Sequence, residues 1–447
     1  MKDLTTVSPS RFHAFQNLER IDTTDAFVGR LQIDEADQRE RRQARELVAG
    51  VTRWQRRLDF LLSEFYNGDF EDMELRLQVI LRLGLYEILY QDTPPHAAVD
   101  QYVELAKEVI RPGAGGLTNG ILRAILRKKD ALPQPRTGDT AEDLAIRHSH
   151  PTWMVRRWLD RFGDIDTAAL LTWNNQRPMF GLRVNTAKTT VEDVTAWLDE
   201  NEVAWTPSPY LKDVVRVQRL QPIIHGSLLD EGKVAIQDES ASLIVRCLDP
   251  QPGETIFDLC SAPGGKTIYA AQRMHGEGRI IAFDIHEGRL GLVKEAAETH
   301  GFGDLIWRQP ADARDLPGRD DLPTADRVLL DAPCSGLGVL SKRADLRWQR
   351  KESDLEELTQ LQAELLDAAA DLVRPGGVLV YSTCTIEPEE NEAQVDRFLA
   401  EHEDFELESV EGLIADELVT SDGAFASLPH RDAIDGAYCA RLRRVEG

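Results

Sequence analysis

From residue 254 onward the chain alternates short apolar runs with amphipathic stretches, and no other feature restricts its fold as much. ETIFDLC, GRIIAFD, DLIWRQP, DRVLLDA and GGVLVYST are runs of strand length. Between them lie RLGLVKEAAETH and SDLEELTQLQAELLDAAADLV, whose apolar residues recur at helical spacing. Strands separated by helices predict a parallel sheet covered on both faces, a doubly wound, Rossmann-like α/β domain. Ligands of such sheets bind outside the carboxyl ends of the strands. The residues that close each run are therefore the informative ones.

The first run closes in Asp258-Leu259-Cys260-Ser261-Ala262-Pro263-Gly264-Gly265-Lys266-Thr267. Two adjacent glycines let the backbone approach a ligand closely and offer amides at a helix N-terminus. The second run closes at Asp284, where a carboxylate can accept both hydroxyls of a ribose; the third closes near Asp312 and the fourth at Asp331. Acidic strand ends around a Gly-Gly turn suit a nucleoside cofactor without a phosphate chain, and S-adenosylmethionine is the natural candidate. GxxxxGK[ST] and GxGxxG are both absent. Any one of these residues also reads as an ordinary helix cap; four in register favour a site.

Two thiols come to the same sheet edge. Cys334 follows Asp331 in DAPCSG, and Cys384 closes the fifth run in STCT. A thiolate adds readily to an electron-poor pyrimidine ring. Addition at C6 of cytosine makes C5 nucleophilic toward a sulfonium methyl, and loss of the C5 proton then expels the thiol. Asp331 can hold the N3/N4 edge and share a proton there. The residues alone do not rank the two thiols. Cys247 and Cys439 sit in apolar runs and read as core, while Cys260 reads as presenting backbone. None of the five cysteines pair at zinc spacing, so no metal is expected.

Upstream, residues 1–130 read as an antiparallel helical bundle, with Leu47, Val51, Trp54, Leu58 and Leu61 at three- and four-residue spacing. Residues 131–147 read as a linker, 148–235 as a small α+β RNA-binding subdomain, and 236–447 as the catalytic domain. No apolar run reaches the ~18 residues of a membrane helix, and no apolar stretch follows Lys2. A cytoplasmic monomer is expected.

The net charge of −25 argues against a nucleic-acid partner until it is divided along the chain. Residues 351–447 carry 7 basic against 24 acidic side chains, and residues 1–130 carry 19 against 21. Basic clusters stand out locally: Arg39, Arg41, Arg42, Arg45, Arg53, Arg56 and Arg57; then Arg123, Arg127, Lys128 and Lys129; then Lys342, Arg343, Arg347 and Arg350 with Trp348. Such patches track phosphates, with the aromatic available to stack on a base; they read equally as solvated helix faces. The acidic tail reads as an amphipathic helix over 387–412, with Glu387, Glu389, Glu390 and Glu392 suiting its N-terminus.

DLCSAPGGKT, DAPCSGLG and YSTCTIEPEENE, in that order, resemble the signature motifs of the Sun/Nop family of RNA cytosine-C5 methyltransferases. LRVNTAK (182–188), IQDESAS (236–242) and DIHEGRL (284–290) extend the likeness, and LVAGVTRWQRRLD (47–59) with LTNGILRAILRK (117–128) resembles the RNA-binding NusB fold. The combination is similar to bacterial 16S ribosomal RNA cytosine-C5 methyltransferases. The resemblance implies cofactor contacts from Cys260, Ser261, Ala262, Pro263, Gly264, Gly265 and Lys266, and from Asp284, Asp312 and Asp331. It implies Cys384 as the nucleophile and Cys334 as the thiol that assists release, on an unpaired or flipped cytosine. Transfer RNA is the alternative substrate, and a catalytically idle NusB-like assembly factor the alternative function.

Overall fold

The computed structural model describes residues 7–24 and 37–446; the leader-free reading of residues 1–6 lies outside them. Two compact units form, one of Met1–Asn175 with Arg343–Gln349, the other of Gln176–Lys342 with Arg350–Gly447. Among the described residues no helix is long and apolar enough to cross a membrane.

The first unit is helical. Its helices are α1 (Pro9–Thr24), α2 (Gln38–Phe65), α3 (Leu75–Tyr90), α4 (Pro95–Val109), α5 (Pro112–Arg127), α6 (Thr140–His148) and α7 (Thr152–Asn175). α3 is buried without a break from Leu77 to Ile88; its apolar residues fall on every side, which suits an enclosed helix, and its buried Arg82 and Glu87 are paired with Asp59 and Arg11. Asp37 starts α2 by accepting from the Glu40 amide at 2.8 Å, and Pro95 and Pro112 open α4 and α5 where no amide donor is required. Gly163, at φ +72°, interrupts α7.

The second unit holds two sheets. The smaller contains β1 (Phe180–Val184), β2 (Trp205–Pro207), β3 (Val214–Val217) and β4 (Val234–Ile236) in the antiparallel order β2-β3-β1-β4. Val194 and Leu198 of α8 (Val191–Glu200) close its core against Leu182, Val184 and Val215.

The larger sheet carries the expected runs as β5 (Thr255–Asp258), β6 (Arg279–Asp284), β7 (Ile306–Pro310), β8 (Ala325–Asp331) and β9 (Val373–Thr383). They are parallel, in the order β9-β8-β5-β6-β7. Successive residues feed opposite cores: Ile256, Ile280, Leu329 and Val380 pack on one face, while Phe257, Ile281, Leu330 and Tyr381 pack on the other. That two-sided burial explains why the runs read as continuous apolar segments. The chain leaves β5 outward through β6 and β7 and then returns to β8, which puts the switch point between β5 and β8.

Beyond β9 the sequence reading needs correction. The expected helix over 387–412 is a 3-10 turn, Pro388–Glu390, followed by a helix of only Glu392–Glu401 and then β10 (Phe405–Leu407). Phe405 folds back on Phe398, with ring centroids 5.2 Å apart. β10 and β11 (Phe425–Ser427) each pair antiparallel with β12 (Ala437–Arg444), which itself runs antiparallel to β9. Three-residue strands leave too short an alternation to be read from sequence.

Candidate active site

The turn after β5 is shaped by its glycines. Gly264 has φ +104°, and a Cβ there would lie 3.2 Å from the Val293 Cα; a Cβ on Gly265 would lie 3.2 Å from Gln237 Nε2. Backbone in that region strains any L side chain. Gly264→Ala is therefore expected to cost about 1–3 kcal/mol, measured by denaturant unfolding. Lys266, the first side chain of the helix beyond the turn that can reach across, ion-pairs with Asp331 Oδ2 at 2.7 Å. Ser382 Oγ donates to Asp331 Oδ1 at 3.0 Å. The turn after β5 and the ends of β8 and β9 are thus tied together through one carboxylate.

Four carboxylates converge on this turn. Burial, and then the charges of Asp258, Asp331, Asp284 and Asp312, push the Cys260 thiol up, which keeps it protonated and unreactive. Asp284 Oδ1 accepts from the His286 amide at 2.9 Å, and Arg289 approaches Oδ2 at 3.5 Å while donating to the Ala262 carbonyl at 2.8 Å. Asp312 is engaged by Arg314, whose Nη2 stands 2.7 Å from Oδ2; that contact holds the Asp312 carboxyl below its usual range. Ser261 and Ala262 are buried and leave backbone at the turn.

Asp258 was visible in the motif without an assigned role. Thr267 Oγ1 donates to its Oδ2 at 2.6 Å, while Oδ1 is buried with no partner among the described residues. Burial, aided by the Asp331 charge and opposed by Thr267, pushes its carboxyl up to about 7. A carboxyl raised in the folded state and ordinary in the unfolded chain costs stability as pH rises from about 4 through 7. Asp258→Asn is expected to flatten that decline, by roughly 2–4 kcal/mol at pH 8, in urea titrations without cofactor. An orphaned carboxylate oxygen suits an ammonium group, and Asp284 suits a ribose diol. These residues fit S-adenosylmethionine.

The two thiols meet beside this cradle. Cys334 Sγ lies 3.3 Å from Cys384 Sγ, and the Cys384 amide donates to Cys334 Sγ at 3.3 Å. The contact with Cys334 and the Lys266 charge lower the Cys384 thiol, against burial and the charges of Asp331 and Asp435. Cys334 moves the other way, raised by the Cys384 contact, then by burial and the charges of Cys384 and Glu390. The two thiols are shifted in opposite directions, Cys384 toward its thiolate and Cys334 toward its protonated form. Cys247 and Cys439 are fully buried, as expected of core residues. Among the described residues no cluster of three or more His, Cys, Asp or Glu is placed to hold a metal ion.

Comparison with known proteins gives this geometry its context. Residues 245–443 match the family model described as 16S rRNA methyltransferase RsmB/F, residues 8–127 the NusB family, and residues 150–224 an RsmF/B-like ferredoxin-like domain. The ribosomal RNA small subunit methyltransferase B of Klebsiella pneumoniae is 37% identical over 81% of this chain and 82% of its own. A Synechocystis protein named "Probable ribosomal RNA small subunit methyltransferase B" is 36% identical over 97% of this chain and 98% of its own. The chain belongs to the RsmB/F methyltransferase family. The crystal structure of PH0851, 28% identical, superposes with a TM-score of 0.80 over 98% of this chain and 99% of that one. A Pyrococcus horikoshii methyltransferase homologue, 27% identical, gives 0.59 over 68% of this chain and 99% of its own. The RsmB/F chain is accordingly an S-adenosylmethionine-dependent rRNA methyltransferase.

In this RsmB/F-family chain several residues of the basic clusters serve the protein itself, which corrects the reading of those residues as phosphate tracks. Arg347 is fully buried and donates to the Ser149 carbonyl at 3.0 Å, Asn175 Oδ1 at 2.8 Å and the Asn174 carbonyl at 3.1 Å. Trp348 Nε1 donates to the Thr52 carbonyl at 2.7 Å, so its ring is anchored. Lys342 is clamped between Asp238 and Asp435, and Arg350 donates to the carbonyls of Ser335 and Cys334. Arg56 binds Glu142, and Arg57 the Pro133 carbonyl. Charge spacing reveals basic side chains but not the acceptors waiting for them. Arg39, Arg41, Arg42 and Arg45, on the first turns of α2, remain exposed, as do Arg127, Lys128 and Lys129 at the end of α5 and beyond it, and Arg343.

Proposed function

We propose that this enzyme methylates C5 of a cytosine in 16S ribosomal RNA, with Cys384 bonding transiently to C6. The observation that carries the reading is the Cys334–Cys384 pair, 3.3 Å apart, with Cys384 lowered and Cys334 raised. The names of the relatives support the small-subunit RNA as substrate. Attack by Cys384 puts negative charge on the ring; Asp331, fixed by Lys266 and Ser382, holds the N3/N4 edge by accepting from the N4 amino group, and the Lys266 ammonium paired with it offsets the developing charge. When bound beside the Asp258 turn, S-adenosylmethionine supplies the methyl group.

Bond formation at C6 removes both the charge of Cys384 and its contact with Cys334. Two of the influences that hold Cys334 protonated vanish together. Cys334 then loses its proton to water, accepts the C5 proton in its turn, and Cys384 leaves as thiolate. The thiols are half-buried, so the target base must leave any stack to reach them. The exposed arginines at 39, 41, 42 and 45 supply phosphate contacts in this reading, with domains divided at 131–147 and at 235.

Unmethylated 16S rRNA and transfer RNA transcripts, each incubated with enzyme and tritiated cofactor and digested to nucleosides, test the proposal. Tritium in 5-methylcytidine from 16S rRNA is the expected result. Label in transfer RNA alone would move the substrate. Label in neither would favour an RNA-binding assembly factor and overturn the reading.

A further inference from the structure

Glu390 and Asn391 follow the TC motif by a few residues, and Glu390 reads from sequence as one of the acidic residues suiting a helix N-terminus. Both are buried instead, Glu390 completely and Asn391 to 4% exposure. Neither touches the cofactor turn. Asn391 holds the Cys384 loop from both sides: Thr383 Oγ1 donates to its Oδ1 at 2.5 Å, and its Nδ2 donates to the Thr385 carbonyl at 3.2 Å. Glu390 holds the Cys334 loop. Its Oε1 accepts from the Ser335 amide at 2.8 Å and from Gln362 Nε2 at 3.0 Å, and its Oε2 accepts from Ser335 Oγ. Gln362 continues to the Pro333 carbonyl at 2.8 Å. The Glu390 carbonyl is itself pinned by the Tyr381 hydroxyl, 2.6 Å away in β9.

We propose that Glu390 is a positioning residue for the releasing thiol: one turn, Glu390-Asn391, grips both cysteine loops, and the Glu390 carboxylate sets where Cys334 stands against Cys384. A buried carboxylate among neutral donors is costly unless its acceptors are used, and here the carboxylate oxygens accept from the loop carrying Cys334 and from the glutamine that braces it. An alternative built only for stability would need no charge, since an amide of the same shape fills the space. The charge has an electrostatic consequence: it raises the Cys334 thiol, together with the contact and charge of Cys384 and with burial. Tyr381 is the other titratable group beside Cys334, and Arg350 binds the Cys334 carbonyl. Asp331 and Lys266 act on Cys384 instead. The inference rests on the reading of Cys334 as the releasing thiol, yet its first test needs no RNA.

Glu390→Gln keeps the shape and removes the charge. In the free full-length protein, site-resolved alkylation by iodoacetamide against pH reads each thiol separately. The Cys334 midpoint is expected to fall by about one unit, a tenfold faster modification at fixed pH, with the Cys384 midpoint moving less. Ser335→Ala loosens the same grip while keeping the charge, and gives a second variant with its own readout. It is expected to leave the Cys334 midpoint high while the fraction of enzyme covalently held on RNA rises severalfold. An unmoved Cys334 midpoint in folded Glu390→Gln, or no rise in held RNA for Ser335→Ala, overturns the proposal. Wild-type protein that never methylates RNA would instead defeat the functional reading, a failure visible without either variant.

Discussion

Replacing Cys384 by alanine is expected to reduce methyl transfer to RNA by about 10³-fold or more, the scale on which loss of a nucleophile is felt. Cys384 directly follows β9, and the contact with Cys334 and the Lys266 charge favour its thiolate. Among the described cysteines Cys334 alone lies against it, and that thiol is held protonated. Cys260 is raised by burial and by four carboxylates, and Cys247 and Cys439 are sealed in the core. No substitute nucleophile stands in reach. The side chain is small and partly exposed, so the melting temperature should move by only a few degrees at most. Transfer of tritium from labelled cofactor to RNA, measured beside a thermal melt, separates lost chemistry from lost fold.

Cys334→Ala should behave differently. In the proposed mechanism attack by Cys384 does not need the second thiol, so a first methyl group is expected to be transferred. Cys334 is there the acceptor of the C5 proton, so without it the bond to C6 is expected to persist. Turnover is expected to fall by about 10²- to 10³-fold, the range of a lost general base. Protein linked to RNA should appear as a slow band on a denaturing gel, absent from Cys384→Ala. The double variant should show neither band nor turnover. The alanine also removes the contact that lowers Cys384, so the first transfer in Cys334→Ala should need a higher pH than in the wild type. A burst measured across a pH series reads that shift.

The parallel sheet was legible because five apolar runs buried on both faces stand out without any partner information. The site was legible for the same reason, since strand ends are where such sheets bind, and the Gly-Gly turn, Asp284, Asp331 and both thiols fall there. What pairing supplies was not legible. The Lys266–Asp331 ion pair joins residues 65 positions apart, and spacing says nothing of it. Glu390 precedes a helix, where acidic residues are usual for their effect on the dipole; only the fold reveals that Ser335 lies opposite. Arg347 and Trp348 followed a reactive motif and therefore read as RNA contacts, yet backbone carbonyls at 149, 174 and 52 take their donors. The antiparallel strands β10 and β11 were missed because three residues cannot display an alternation.

The most direct measurement uses 16S rRNA transcribed with 5-fluorocytidine, whose C5 fluorine cannot leave as a proton, so any bond between thiol and C6 persists after methylation. Wild-type enzyme is incubated with this RNA and cofactor, digested with nuclease and trypsin, and the modified peptide located by mass spectrometry. A nucleotide attached to Cys384 is the predicted result. Attachment to Cys334, or RNA that gains a methyl group without any linkage to protein, would contradict the account.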